Sequence, residues 1–119
     1  MRLNSLYVNV DDMARALAFY RQFFGAEPTQ NEGRYSIFEA GGVDFGLYYA
    51  RFDGEMTQFG NNCIPNFESR DVDAEHRRLQ RFAGTIDPQV SQVEDYRYFQ
   101  CQDTEGNILE IYQMARGAY

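Results

Sequence analysis

The sequence predicts an α+β fold of two βαβββ modules, with curved, mostly antiparallel sheets forming a cleft and the helices on the outside. Three observations lead to this prediction. A strand pattern, a helix pattern and three further strand patterns follow one another, and the same order then returns. Both helix patterns begin beside an aspartate, Asp12 or Asp71. The turn glycines Gly42 and Gly106 take matching places in the two halves.

The first module is predicted over about residues 1–50. Its first strand covers 2–10, because apolar residues recur there with a period of two. A helix follows over 11–25, where apolar residues recur at helical spacing and a glycine ends the pattern. Three short strands complete the module near 27–31, 34–40 and 43–50.

A polar, glycine-containing linker over 51–61 leads to the second module, predicted over about 62–114. This module has a strand at 62–69 and a helix at 70–84 that begins at Asp71. Its remaining strands are predicted near 85–93, 95–102 and 107–114. Together the modules form one domain over 1–119.

The composition narrows the classes of function. The chain has a net charge of -7, it has no lysine, and 16% of its residues are aromatic. An acidic protein of this size is a poor partner for nucleic acid or an anionic membrane. No signal peptide or membrane span is recognisable. The two cysteines, Cys63 and Cys101, lack metal-type spacing and are predicted to be buried thiols. We therefore expect a cytoplasmic protein.

Strand alternation identifies the side chains on the sheet face opposite the helices. Candidate ligand-binding residues on this open face are Ser5, Tyr7, Asn9, Asp44, Tyr48, Asn66, Glu68 and Tyr112. Tyrosine faces and carboxylates suit a planar or cationic organic molecule. The alternative, which the pattern favours slightly for the tyrosines, is that they fill the space between the sheets.

Glu110 is the tentative catalytic candidate. It interrupts the last strand between Leu109 and Ile111, and alternation places it on the open face. A carboxylate in a partly dry cavity costs free energy unless it is paired or neutral. A functional role and an evolutionary remnant therefore remain equally open for it.

Three stretches resemble a known superfamily. "LYVNVDDMARALAFYRQFFGAEP" is similar to the first strand and helix of the glyoxalase / bleomycin-resistance / extradiol-dioxygenase (vicinal oxygen chelate) superfamily. "NFESRDVDAEHRRL" resembles the opening of its second module, and "DTEGNILEIYQ" resembles its last turn and strand. Together these matches frame nearly the whole chain in the order of that superfamily.

The resemblance implies four metal-ligand positions in metal-dependent relatives. Carried onto this chain they fall on Ser5, Gly46, Ile64 and Glu110, of which only Glu110 has a ligand-type side chain. Catalytic metal sites need about three protein ligands, so no metal and no other cofactor is predicted. The only histidine, His76, falls on the second helix, where a structural role is favoured over a ligand role.

The resemblance and the residues together predict a metal-independent small-molecule binding protein, and the expected role is to sequester a planar or cationic compound. The alternative is a lyase, isomerase or dioxygenase-type enzyme that uses Glu110 as a base or within an unrecognised metal site. A homodimer is expected, because open sheets leave edges that a small monomer covers poorly. Neither nucleic acid nor a membrane is an expected partner.

Overall fold

A computed structural model describes residues 3–60 and 63–115. The chain divides between Phe59 and Gly60 into two compact units. Each unit carries one helix against one sheet. Within the described part of the chain, no helix has the length and apolar character needed to cross a membrane.

The first unit contains four strands, one α-helix and a short 3-10 helix. In chain order these are β1 (Ser5–Asn9), α1 (Met13–Phe24), β2 (Gln30–Asn31), β3 (Tyr35–Ala40), β4 (Val43–Tyr48) and the 3-10 turn Ala50–Asp53. The strands are arranged in the order β1-β4-β3-β2. Strand β1 runs parallel to β4, and the other pairs are antiparallel.

Helix α1 has the ends that its sequence predicts. The Asp12 side chain accepts a hydrogen bond from the Arg15 amide at 3.0 Å, and Gly25 ends the helix in the left-handed region at φ 63°. Tyr20 is fully buried and its ring lies 5.2 Å from that of Phe45 on β4. This aromatic contact fixes the helix on one face of the sheet and leaves the other face open.

The second unit repeats the order with one more strand. Its elements are β5 (Asn66–Glu68), α2 (Val72–Leu79), β6 (Thr85–Ile86), β7 (Ser91–Val93), β8 (Tyr96–Gln102) and β9 (Ile108–Met114). The strand order is β5-β9-β8-β6, and β7 also pairs with β8. Strand β5 runs parallel to β9 as β1 does to β4. The predicted α+β fold of two βαβββ modules is confirmed.

The strand registers show how the modules correspond. Gly46 lies four residues after the turn glycine Gly42, and Glu110 lies four residues after Gly106. Each of the two also lies opposite a residue of the parallel first strand of its module. Tyr7 is opposite Gly46, and Asn66 is opposite Glu110. In the same way, Tyr48 and Tyr112 correspond. The duplication therefore extends to positions on the open faces.

Several predicted elements differ in extent; β2 and β5, for example, are shorter than the strands predicted over 27–31 and 62–69. Helix α2 ends at Leu79 rather than at 84, because the amides of Arg81 and Phe82 bond three residues back, in the 3-10 pattern. The strand predicted over 85–93 is split into β6 and β7 around Pro88, which has no amide hydrogen to donate.

Cys101 is buried as predicted, but Cys63 is exposed, because it precedes β5 rather than lying within it. The 3-10 turn Ala50–Asp53 begins one residue before the predicted linker and overlaps its first three residues. Residue 2 of the first predicted strand, and residues 61 and 62 at the linker boundary, lie outside the described residues.

Candidate functional site

The first unit has an open groove on the sheet face opposite α1. Its volume is about 660 Å³, and it is lined by Ser5, Tyr7, Gln30, Glu32, Arg34, Tyr35, Tyr48, Asp53 and Glu55. Three predicted ligand-binding residues, Ser5, Tyr7 and Tyr48, therefore lie together. The predicted residues Asn9 and Asp44 lie on the same strands, paired with Tyr48 and Ser5, but do not line the groove.

Three tyrosine rings form the floor of this groove. The Tyr7 ring is 5.5 Å from that of Tyr48 and 6.3 Å from that of Tyr35, in edge-to-face contact with both. Tyr35 and Tyr48 lie 6.3 Å apart. Tyr7 is 57% exposed. The cluster is thus packed from within and still presents aromatic surface to a ligand.

The linker supplies one wall of the groove. Its 3-10 turn ends at Gly54 in the left-handed region, at φ 72°. This turn brings Asp53 back to the sheet, where Asp53 accepts a hydrogen bond from the Tyr48 hydroxyl and lies 3.6 Å from the Arg34 guanidinium. The bond to Asp53 raises the pKa of Tyr48 to about 12, so this phenol stays neutral and donating at physiological pH.

The Tyr35 ring lies directly over Gly46. A Cβ atom placed on Gly46 would be 2.2 Å from the Tyr35 hydroxyl oxygen, so only glycine permits this ring position. Burial, and then the nearby Asp44, raise the pKa of Tyr35 above its ordinary value. The ring therefore occupies the space where a metal-ligating side chain would project from position 46.

The second unit has its own tyrosine cluster, in which Glu110 takes part. Glu110 accepts hydrogen bonds from the Tyr96 hydroxyl and from the Gln100 amide, the latter at 2.9 Å. The Tyr96 ring stacks on Tyr112 at 5.2 Å and lies 5.4 Å from Tyr98. Burial and the bond to Glu110 raise the pKa of Tyr96. Both oxygens of Glu110 thus have neutral hydrogen-bond donors.

The remaining predicted residues of this unit are less closely grouped. Asn66 lies opposite Glu110, but its amide donates to the Ile64 carbonyl at 3.2 Å. Glu68 lines a separate hollow of about 450 Å³ with Ser69, Arg70 and Gln113. Of the predicted residues, Tyr112 contacts the cluster around Glu110, because its ring stacks on that of Tyr96.

The four metal-ligand positions implied by the resemblance do not carry a metal-binding set. Gly46 has no side chain, Ile64 has no donor atom, and Glu110 is already hydrogen-bonded. Across residues 3–60 and 63–115, no group of three or more histidine, cysteine, aspartate or glutamate side chains could hold a metal ion. The donor set of these described residues therefore does not fit the metal centre of the metal-dependent relatives.

His76 has a structural environment. Its ring is buried, one ring nitrogen lies 2.7 Å from the Asp87 carbonyl oxygen, and the ring meets Phe99 edge-on at 4.8 Å. These contacts hold α2 against its sheet. They agree with the structural interpretation drawn from the sequence.

Four residues that complete the two clusters are not among the candidate ligand-binding residues predicted from the sequence: Tyr35, Asp53, Tyr96 and Gln100. Alternation over 94–102 does place Tyr96 and Gln100 on one strand face, where they could widen the cleft or form a subunit contact. Gln100 could have been found, because it lies directly opposite Glu110 in an antiparallel pair. The position of Asp53 in the groove could not be predicted from strand pairing, because it depends on how the linker folds back onto the sheet.

Comparisons with known proteins agree with this architecture. The sequence model of the Glyoxalase/Bleomycin resistance protein/Dioxygenase superfamily matches residues 2–111. No curated protein sequence matches the chain. Among solved structures, a glyoxalase/bleomycin resistance protein/dioxygenase from Nocardioides has a TM-score of 0.79 at 16% identity, with 99% of this chain and 86% of that chain covered.

Two further structures show the same likeness. A glyoxalase-related enzyme from Fulvimarina pelagi has a TM-score of 0.80 at 16% identity, covering 95% of this chain and 88% of that one. Lactoylglutathione lyase from Agrobacterium tumefaciens has a TM-score of 0.77 at 19% identity, covering 99% and 97%. At these identities the likeness establishes the fold.

Proposed function

Because the chain belongs to the Glyoxalase/Bleomycin resistance protein/Dioxygenase superfamily, we propose that it is a metal-independent small-molecule binding protein that takes up a planar, cationic compound. One observation carries the proposal. The only ligand-type residue at the family's metal positions, Glu110, is held by Tyr96 and Gln100 beside stacked tyrosine rings, with no other metal donors at those positions.

The chemistry of this cluster suits recognition of a cation. Tyrosine faces attract organic cations by about 0.5–2 kcal/mol each, depending on desolvation. The hydrogen bonds from Tyr96 and Gln100 hold the Glu110 carboxylate in one orientation, so a ligand that binds it does not have to order it. The net charge of -7 attracts cationic molecules over a longer range.

The same geometry favours recognition over catalysis by Glu110. A general base must present an oxygen to the proton that it removes. Each Glu110 oxygen accepts one hydrogen bond and keeps a further lone pair for a ligand, but the described residues offer no assembled metal set as the electrophile that would stabilise a substrate anion. The lyase, isomerase or dioxygenase alternative would need a different arrangement around this residue.

A thermal-shift screen tests the proposed function. Three tricyclic probes of matched shape are used: aminoacridine, which is a cation at neutral pH, neutral acridine, and anionic acridine carboxylate. We expect aminoacridine to raise the melting temperature most and acridine carboxylate least. Zinc, iron, manganese and nickel should produce no specific rise. About one equivalent of such a metal in the purified protein, measured by elemental analysis, would contradict the proposal.

We also propose a homodimer. Large apolar side chains are exposed in the described residues, among them Leu3, Phe52, Met56 and Val93, and β1 and β5 lie at sheet edges. Covering such surfaces favours self-association. Light scattering at micromolar concentration is expected to give twice the 13.9 kDa chain mass. A monomer mass under those conditions would refute the dimer.

We propose that the protein is located in the cytoplasm. Cys63 and Cys101 are free thiols, as is usual in a reducing compartment such as the cytoplasm. The acidic charge supports the expectation that neither nucleic acid nor an anionic membrane is a partner.

A further inference from the structure

We propose that the hollow at the end of β5 is a binding site for a small zwitterion, a molecule that carries a carboxylate and an ammonium group as a free amino acid does. The hollow has a volume of about 450 Å³ and is lined by Glu68, Ser69, Arg70 and Gln113. Small-molecule sites have volumes of about 300–1,000 Å³. The inference does not rest on the proposed function, because Glu110 does not line this hollow.

The hollow presents one unpaired charge of each sign. The side chains of Glu68 and Arg70 are both exposed, and across residues 3–60 and 63–115 neither forms an ion pair or a side-chain hydrogen bond. They also do not pair with each other. The two residues are two positions apart in the chain, so their Cα atoms are separated by at most about 7 Å. One small molecule can therefore reach both charges.

The backbone between the two charges is held by β9 and by the start of α2. The Ser69 amide donates to the Tyr112 carbonyl oxygen at 2.8 Å, which continues the pairing of β5 with β9 by one residue. The Ser69 hydroxyl oxygen accepts a hydrogen bond from the Asp71 amide at 3.0 Å. Its own hydrogen is left to donate to a ligand carboxylate beside Arg70.

The Gln113 side chain fixes the other end of this segment. Its amide nitrogen donates to the Arg70 carbonyl oxygen at 2.8 Å, and its amide oxygen accepts from the Val72 amide at 2.9 Å. The position of the Arg70 backbone is therefore set before a ligand arrives. Binding has to order only the side chains of Glu68 and Arg70, which limits its entropic cost.

The chemistry of the lining residues favours a zwitterion over a singly charged molecule. The planar guanidinium of Arg70 can hold a carboxylate through two parallel hydrogen bonds, and the Glu68 carboxylate can accept from an ammonium group. A simple anion would use Arg70 but would be repelled by Glu68, and a simple cation would meet the reverse. Only a molecule with both groups satisfies both side chains.

An NMR titration of the isotope-labelled protein tests the inference. The probes are free glycine, γ-aminobutyrate and ε-aminocaproate, each compared with the acid and the amine of the same length that carry one charge. We expect at least one zwitterion to bind more tightly than both of its singly charged analogues. The signals that shift should include the backbone amides of Ser69 and Arg70 and the side-chain amide of Gln113.

Two variants should separate the two charges. Glu68→Gln should weaken binding of the best zwitterion about threefold, as one exposed ion pair allows, and should weaken the amine but not the acid. Arg70→Gln should weaken the zwitterion about equally and should weaken the acid but not the amine. The matched controls are Glu94→Gln and Arg81→Gln, which remove the same charges from exposed positions of the same unit outside the hollow. Both controls should bind every probe as the parent protein does.

Several results would overturn the inference. It is wrong if no zwitterion shifts the signals around the hollow, or if the zwitterions bind no more tightly than their singly charged analogues. It is also wrong if either folded variant, Glu68→Gln or Arg70→Gln, retains the parent affinity for the best zwitterion. If Glu110→Gln weakens that binding and these two variants do not, the zwitterion binds beside Glu110 and not in the hollow.

Discussion

Replacement of Gly46 by alanine is expected to lower the free energy of unfolding by about 1–3 kcal/mol, the cost of overpacking a close contact. The new Cβ would lie 2.2 Å from the Tyr35 hydroxyl oxygen, so the Tyr35 ring would have to leave its contacts with Tyr7 and Tyr48. Urea denaturation measures the loss. Gly33→Ala is the matched control, because nothing lies within 4 Å of a Cβ placed there.

The double variant shows whether Tyr35 is the cause. In a Tyr35→Ala background the obstruction is gone, and Gly46→Ala should then stabilise the protein by about 0.5–1 kcal/mol, since alanine loses less backbone entropy than glycine. The sign of the Gly46 effect is therefore expected to reverse. An equal loss of stability in both backgrounds would mean that another neighbour, or the backbone, requires glycine.

Glu110→Gln is expected to weaken aminoacridine binding by about 1–3 kcal/mol, the scale of a lost charge-assisted hydrogen bond. Folding stability should change little, because glutamine can still accept from Gln100 and can donate to the Tyr96 hydroxyl oxygen. Glu110→Leu removes both acceptors and should cost about 1–3 kcal/mol of stability. Calorimetry and urea denaturation measure the two quantities.

These two substitutions separate a binding role from a structural one. If Glu110→Gln unfolds the protein as readily as Glu110→Leu does, the carboxylate is needed for folding. If Glu110→Gln leaves the affinity for every responding probe unchanged, the residue is a remnant of a metal site. Only retained stability together with weakened binding agrees with the proposed role.

Local sequence patterns predict much of the fold. The alternation around Leu109, Glu110 and Ile111 correctly separates two buried residues from a more exposed one. The cap at Asp12 and the stop at Gly25 follow from local backbone chemistry. Such signals depend on neighbouring residues alone, which is why the order of the elements was predicted well.

The details of the sites depend on contacts between distant parts of the chain, which periodicity does not encode. Tyr96 lies opposite Met114, yet its hydroxyl reaches Glu110 four residues along the partner strand. Asp53 meets Tyr48 only because the linker turns back on the sheet. A prediction based on strand faces therefore does not include the contacts of long side chains or the positions of irregular segments.

Titration of aminoacridine into two preparations of the protein tests metal-independent binding most directly. One preparation is dialysed against a strong chelator, and the other is supplied with zinc, manganese and nickel. We expect the same affinity and stoichiometry for both, because the tyrosine clusters and the carboxylates alone would hold the ligand. Binding that disappears after chelation and returns with one equivalent of metal would contradict it.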